Sequence, residues 1–250
     1  MPITVGHIPY LSYEPFYFVM QRRDMPLREL PPSAIAEAAL RGDIDAGPIP
    51  LSDCARLQEQ FRYLSGFCVA TYRKAISVVL HAQQPIESLQ GARIALSSDA
   101  AMSVQLLRIL LVLKHQLADF IPVTMGEPHA ACLLIGNEGL RQRHGRPGYP
   151  HLYDLGQEWS EWTRLPCVYS RWMVRKDLER TDVLLLEDAL YTSLQDWADG
   201  LYHSSPMRED LYMHPRDIHE YTQGIRYFIG VPEQRGMERF HACLEQLTSA

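Results

Sequence analysis

The first 20 residues constrain the fold more than any other part of the chain. A strand-like run over residues 3–8 ends in a turn that contains Ser12 and Tyr13, and the apolar segment 16–20 follows at once. Pro15 suits the first turn of a helix, where its missing N–H costs nothing. The free N–H groups of that turn would face the end of the strand, which suits an anion. The alternative is an ordinary strand-to-helix turn without a ligand.

Composition and charge narrow the class of protein. Of the 250 residues, 46% are hydrophobic and 22% are charged, which is typical of a globular chain that forms one large domain or two lobes. A net charge of −6 and a pI near 5.9 argue against a nucleic-acid partner, which requires a clustered basic face. No apolar run approaches the roughly 20 residues that span a bilayer. Because the fold begins at Met1, we expect neither a membrane partner nor a signal peptide.

The cysteine and histidine patterns favour neither a disulfide framework nor a metal centre. Five scattered cysteines form no Cys-x-x-Cys pair: Cys54, Cys68, Cys132, Cys167 and Cys243. Their apolar neighbours indicate buried thiols, so we expect a reducing, cytoplasmic location. The ten histidines show no His-x-x-x-His spacing, so we expect no metal site. No Walker loop or Gly-x-Gly-x-x-Gly fingerprint points to a cofactor.

Predicted strands and helices alternate along the chain. We predict strands over residues 45–50, 63–70, 75–81, 93–96, 120–124, 131–135 and 168–174. We predict helices over residues 31–40, 51–58, 100–117, 181–201 and 233–247. This α/β pattern predicts mixed, mostly parallel sheets with helices on both faces. In such folds ligands bind beyond the carboxyl ends of the strands, in the crevice between halves.

A second candidate binding segment lies where the predicted strand 93–96 passes into a helix. Ser98 or Asp99 can cap that helix, and Ser103 falls in its first turn. Capping alone explains these residues, and an anion site at the same helix end is the alternative. Arg73, next to Lys74 between two predicted strands, is either a solvated surface residue or the anchor of a carboxylate in the cleft.

Several blocks along nearly the whole chain resemble the chorismate dehydratase family of menaquinone biosynthesis, which acts in the futalosine route. The matching blocks are Tyr10-Leu11-x-x-Glu14-Pro15, Leu40-x-Gly42-x-Ile44-Asp45-Ala46, Ser77-Val78, Pro85-Ile86-x-x-Leu89-x-Gly91, Ser103-Val104-x-Leu106-Leu107, Leu133-Leu134-Ile135-Gly136, Tyr153-Asp154-Leu155-Gly156-x-x-Trp159, Leu165-Pro166-x-Val168-Tyr169-x-x-Trp172 and Ile225-Arg226-Tyr227. The run from Tyr153 to Trp172 is the most specific of them.

This resemblance implies a two-lobed fold of the type II solute-binding-protein kind, with the substrate between the lobes. Residues 1–74 plus 171–250 would form lobe one, and residues 75–170 would form lobe two. The family's reaction removes water from chorismate to give 3-[(1-carboxyvinyl)oxy]benzoate without a metal or organic cofactor. The chain is therefore expected to be a carbon–oxygen lyase that acts on a small carboxylate, and its oligomeric state is left open.

The resemblance also implies a set of site residues. Ser77 and Ser12 are the expected catalytic residues. The expected substrate-binding residues are Tyr10, Tyr13, Arg73, Ser98, Met102, Ser103, Asn137 and Tyr169.

The chain departs from the family's pattern at four of these positions. It has Ser12 where an Asn is usual, Arg73 for a Gly, Met102 for a Thr and Asn137 for an Asp. Two hypotheses therefore stand. The first is a dehydratase in which Ser77 and Ser12 orient chorismate. The second is a solute-binding-type protein that closes on a different small carboxylate, with Arg73 as a new anchor and no catalysis.

Overall fold

The computed structural model describes residues 3–204 and 207–249 and shows strands and helices in alternation. The strands are β1 (Val5–His7), β2 (Leu27–Glu29), β3 (Ala46–Pro50), β4 (Phe61–Thr71), β5 (Val78–Ala82), β6 (Arg93–Leu96), β7 (Ile121–Val123), β8 (Ala131–Ile135), β9 (His151–Asp154), β10 (Cys167–Arg175) and β11 (Ile225–Phe228). The helices are α1 (Glu14–Arg22), α2 (Pro32–Leu40), α3 (Cys54–Leu57), α4 (Ala101–Ile109), α5 (Gly136–Arg141), α6 (Leu155–Thr163), α7 (Arg180–Ser204), α8 (Pro215–Gln223) and α9 (Val231–Ser249).

The strands form two separate sheets. The first has the order β11-β4-β10-β3-β1-β2, and the second has the order β7-β6-β8-β5-β9. We call the first sheet with α1–α3 and α7–α9 the first lobe, and the second sheet with α4–α6 the second lobe. The chain enters the second lobe after β4 and returns to the first lobe through β10. The predicted two-lobed α/β fold with mixed sheets is confirmed.

Strand direction within the sheets differs from the prediction. Parallel pairs join β1 to β2 and β3, and join β6 to β7 and β8. The remaining pairs of the described sheets are antiparallel, and they slightly outnumber the parallel ones. The expectation of mostly parallel sheets is therefore wrong. The reason is topological, because β4 leaves the first sheet and β10 returns to it, so the two strands run in opposite directions.

The second predicted lobe boundary also differs from the structure. The first boundary, after residue 74, falls in the connection between β4 and β5. The second, between residues 170 and 171, falls inside β10. That strand pairs with β4 from Cys167 onward, so all of it belongs to the first sheet. The return to the first lobe therefore lies near residues 164–166.

Local sequence signals account for the clearest elements. Pro15 lies in the first turn of α1 and Pro32 in that of α2, positions where proline costs no hydrogen bond. Gly42 follows α2 with φ of +76°, which glycine adopts without strain. Strand β8 has the predicted limits, and its five residues are all buried, as its unbroken apolar run indicates.

The predicted helix over residues 100–117 is divided in the structure. Helix α4 ends at Ile109, and a π-helical turn, Leu110–Lys114, continues it. At the end of that turn, the Lys114 ammonium and the His115 ring contact the carboxylate of Glu158 on α6, at 2.6 and 3.2 Å. Helix α3 is also shorter than predicted, and the short strands β9 and β11 have no counterpart among the predicted strands.

The core of the first lobe is aromatic and free of disulfides. Phe16 packs edge-on against Trp172 of β10 with ring centroids 5.2 Å apart, and helix α7 packs against α1. All five cysteines are free and buried, as the sequence predicted. In the described ranges, no helix is both long enough and apolar enough to cross a membrane.

Helix α7 offers a matched test of this packing. Leu186 is fully buried, whereas Leu185 beside it is 62% exposed. We expect Leu186→Ala to lower the free energy of unfolding by about 2–5 kcal/mol, because it removes buried methyl groups and leaves a cavity. Leu185→Ala should change it by less than about 0.5 kcal/mol. Urea unfolding followed by circular dichroism measures both, and equal effects would contradict the packing described.

Candidate functional site

A cleft lies between the two lobes, and side chains from both lobes line it. The sequence-predicted site residues that line this cleft are Tyr10, Ser12, Tyr13, Ser77, Met102, Ser103 and Tyr169. The structure therefore brings together residues that are up to 159 positions apart in the chain, from the end of β1 to β10.

Three of the predicted site residues, Arg73, Ser98 and Asn137, are not part of the cleft lining. Arg73 is exposed in the connection after β4 and is not part of the cleft lining. A guanidinium without a buried partner is most stable in water, which explains its outward position. Ser98 is also exposed, and its hydroxyl donates to the carboxylate of the neighbouring Asp99 at 3.0 Å. The assignment of Arg73 and Ser98 as cleft residues is therefore corrected.

Asn137 ties the two lobes together. It lies in the first turn of α5, in the second lobe. Its Oδ1 accepts from the Leu11 amide at 3.0 Å, and its Nδ2 donates to the Pro9 carbonyl at 3.0 Å. The carbonyl oxygen and the NH₂ group of this side chain thus both hydrogen-bond to backbone of the first lobe. The side chain predicted to bind substrate holds the turn that carries Ser12.

A pair of hydroxyls from opposite lobes forms the polar centre of the cleft. The Tyr221 hydroxyl, on α8 of the first lobe, donates to Ser77 Oγ of the second lobe at 2.9 Å. Ser12 is buried and its hydroxyl also lies within hydrogen-bonding reach of Tyr221. Burial raises the pKa of Tyr221 to about 12, so the phenol is a neutral hydrogen-bond donor at physiological pH.

Tyr10 closes one side of the cleft from the first lobe. Its hydroxyl donates to the Asp99 carboxylate in the second lobe at 3.0 Å. Its ring lies so close to Gly136 that a Cβ there would approach ring carbons within 2.6 Å. Gly136 has φ of +57° as well, so glycine suits both the backbone and the contact. Burial, and then the Asp99 charge, raise the pKa of Tyr10 far above its usual range.

Further hydroxyls lie at the floor of the cleft, where the last residue of β4 meets the start of β10. The Tyr13 hydroxyl donates to Ser170 Oγ at 3.0 Å, and the Tyr169 and Thr71 hydroxyls lie 3.2 Å apart. Burial raises the pKa of both Tyr13 and Tyr169, so both phenols stay protonated. The cleft is therefore lined by neutral donors held in place by one another.

Asp99 is the one charged side chain among the described residues that line the cleft. Met102 and Ser103 lie in the first turn of α4 and line the cleft. Helix geometry leaves the N–H groups of a first turn without intrahelical partners. At the start of α1, Glu14 forms an ion pair with Arg208 at 2.7 Å. Each helix start therefore has a carboxylate beside it, Glu14 at α1 and Asp99 at α4, and an anion site at either one stays a prediction.

Sequence reasoning did not assign three polar cleft residues to the site. Thr71 ends β4, Asp99 precedes α4, and Tyr221 lies in α8, a helix that was not predicted. Asp99 carried a signal as a candidate helix cap, whereas nothing near Tyr221 in the sequence indicates a site. Within residues 3–204 and 207–249, no three His, Cys, Asp or Glu side chains are grouped as metal ligands would be.

Comparison with known proteins shows which family this chain resembles. The model of a family described as menaquinone biosynthesis matches residues 3–246. A chorismate dehydratase from Thermus thermophilus is 22% identical, over 97% of this chain and 95% of that protein.

Solved structures show the same fold. A protein from Archaeoglobus fulgidus superimposes with a TM-score of 0.68 at 20% identity, covering 99% of this chain and 98% of that one. The alkanesulfonate-binding protein of Xanthomonas axonopodis pv. citri, solved with bound MOPS, gives a TM-score of 0.66 at 13% identity over 99% of this chain and 92% of that one. The fold is thus that of periplasmic binding proteins. Because the family model extends over nearly the full length, the chain belongs to the menaquinone biosynthesis family.

Proposed function

We propose that this chain is a chorismate dehydratase, which eliminates water from chorismate to give 3-[(1-carboxyvinyl)oxy]benzoate. The observation that supports it most is the Ser77–Tyr221 hydroxyl pair inside a cleft of a menaquinone biosynthesis family member. The similar Thermus thermophilus protein is a chorismate dehydratase and matches this chain from end to end. The reaction would make the chain a carbon–oxygen lyase of the futalosine route.

The cleft suits a substrate with two carboxylates. The first-turn amides of α4, near Met102 and Ser103, offer hydrogen bonds and the positive end of a helix dipole to one carboxylate. The neutral hydroxyls around the cleft can donate to the other. Arg73 is not required for this binding, since it lies outside the lining.

The chemistry requires a ring hydroxyl and the hydrogen on the neighbouring carbon to leave together as one molecule of water. The C–H electron pair becomes part of the new aromatic ring, so the reaction needs no oxidant or reductant. Tyr221 and Ser77 donate to the departing hydroxyl by exchanging their present acceptors, Ser77 Oγ and the Ala75 carbonyl, for the substrate, and Ser12 lies beside them. A carboxylate of the substrate serves as the base. Aromatisation supplies the driving force, so we propose no cofactor.

The alternative is a binding protein that closes on a small carboxylate without catalysis. The fold it shares with the alkanesulfonate-binding protein favours this reading. The expected Arg73 anchor, however, is absent from the cleft lining. A cytoplasmic location is part of the enzyme proposal, and the five free, buried thiols support it.

The deciding experiment is incubation of the purified chain with chorismate. Loss of the diene absorbance, with a product of the mass of the carboxyvinyloxybenzoate, is the expected result. If chorismate binds measurably but is recovered intact, the chain is a binding protein and not a dehydratase.

Removal of the Ser77 hydroxyl tests its role directly. We expect Ser77→Ala to lower kcat roughly 10- to 100-fold with a much smaller change in KM, because the hydroxyl acts on the departing group. Ser88→Ala, an exposed serine in the same lobe, is the control and should retain wild-type kinetics. Steady-state kinetics on chorismate measure both, and equal kcat values for the two variants would refute the role of Ser77.

A second prediction concerns Tyr221. We expect Tyr221→Phe to lower kcat by about tenfold or more, because the cleft loses a donor while the ring and its packing remain. The matched control is Tyr227→Phe, since the buried Tyr227 hydroxyl has no partner within the described residues and lies outside the cleft. A loss of activity in the control that equals the loss in Tyr221→Phe would show that the effect is structural.

Closure over the ligand depends on the contact between Gly136 and Tyr10. We expect Gly136→Ala to raise KM for chorismate about tenfold or more, because its Cβ would collide with the Tyr10 ring. Gly42→Ala controls for backbone strain, since Gly42 also has positive φ and its position leaves a Cβ in open space. Steady-state kinetics and isothermal titration measure the effect. Unchanged affinity in Gly136→Ala would contradict the closure.

A further inference from the structure

The backbone just before Ser77 is strained. Ile76 has φ of +63°, in the left-handed region that β-branched residues rarely adopt. The other non-glycine residues with positive φ in the described ranges are not β-branched. Such a conformation persists only where the surroundings hold it, and it is typical of functional sites.

The group that holds this backbone is the carboxylate of Asp154. One oxygen accepts from the Ala75 amide at 2.9 Å, and the other accepts from the Ile76 amide at 2.6 Å. The first oxygen also accepts from the Gln157 amide at 3.0 Å, so Asp154 caps α6 as well. Both oxygens of one half-buried carboxylate therefore accept from backbone amides, two of which belong to the strained residue Ile76 and its neighbour Ala75.

Close packing around Ser77 leaves the serine little freedom. A Cβ at Gly139 would collide with the Ser77 carbonyl, and a Cβ at Gly156 would lie 3.0 Å from the Ala75 amide nitrogen. The Ser77 side chain donates to the Ala75 carbonyl at 3.3 Å and accepts from Tyr221. The position of Ser77 Oγ thus follows from the conformation of residues 75 and 76.

We propose that Asp154 is a positioning residue for Ser77. Its carboxylate holds Ala75 and Ile76 in the left-handed turn that brings the Ser77 hydroxyl to Tyr221. The expected effect on kcat rests on the proposed dehydratase activity. The expected effect on the backbone of residues 75 and 76 rests on the geometry alone. The competing explanation is that Asp154 serves only as the N-cap of α6.

Asp154→Asn separates the two explanations. Asparagine caps helices about as well as aspartate, but it offers one acceptor oxygen where the turn uses two. We expect kcat on chorismate to fall roughly 10- to 100-fold while KM changes less than about threefold. The control is Asp119→Asn, which changes a carboxylate of the same lobe that accepts from the Phe120 amide and lies outside the cleft. It should leave kcat unchanged.

A rescue variant tests the strain itself. Glycine adopts positive φ without cost. With Ile76→Gly, the turn should therefore form without the Asp154 carboxylate. We expect the double variant Asp154→Asn, Ile76→Gly to recover most of the kcat that Asp154→Asn loses. No recovery, in a double variant whose melting temperature shows that it is folded, would overturn the proposal in favour of simple capping.

Hydrogen exchange provides a readout that does not depend on the activity. The Ala75 and Ile76 amides should exchange slowly in the wild type and about tenfold faster or more in Asp154→Asn, while amides of α6 beyond its first turn stay protected. Equal exchange at both amides in the two proteins would refute the clamp, whatever the kinetics show. If the wild type leaves chorismate intact but the exchange result holds, then the proposed function fails and the clamp stands.

Discussion

The position of β10 in the middle of the first sheet determines where the site can form. It pairs antiparallel with β3 on one side and β4 on the other, and its first residue lies opposite the last residue of β4, Cys167 against Thr71. Both connections between the lobes therefore meet the first sheet at neighbouring strands. The Thr71 and Tyr169 hydroxyls, 3.2 Å apart, lie at this junction and form the floor of the cleft. The strained connection that carries Ser77 starts from the same place.

Apart from Asp99, the described polar side chains that line the cleft are neutral. Burial raises the pKa values of Tyr13, Tyr169 and Tyr221, so each phenol keeps its proton and remains a donor. In the proposed reaction the dianionic substrate brings its own charges, and a cationic side chain that bound it tightly would also bind the product tightly. Hydroxyls and helix amides would instead stabilise both carboxylates moderately, which suits the release of an anionic aromatic product.

The sequence predicted what is encoded locally. Ser12 lies in a turn that the local pattern singled out, and β8 and α2 have compact apolar runs with clear limits. Ser77, in contrast, was identified only through the family resemblance. Features that depend on distant partners could not be found in this way. The outward position of Arg73 depends on the path of a connection, and the direction of β4 and β10 depends on the double crossing between lobes. Tyr221 contacts Ser77 across 144 positions of sequence, and the polar residues around it in α8 match no catalytic motif.

The hydroxyl pair has one further consequence, because Tyr221 belongs to the first lobe and Ser77 to the second. The Tyr10–Asp99 contact and the Asn137 ties span the same gap. Any movement that widens the cleft enough for a ligand to pass separates the donors at the same moment. A half-bound ligand then meets no assembled donor pair. Release of a ligand requires the same contacts to break, so one set of hydrogen bonds governs both the assembly of the donor pair and the release of the ligand.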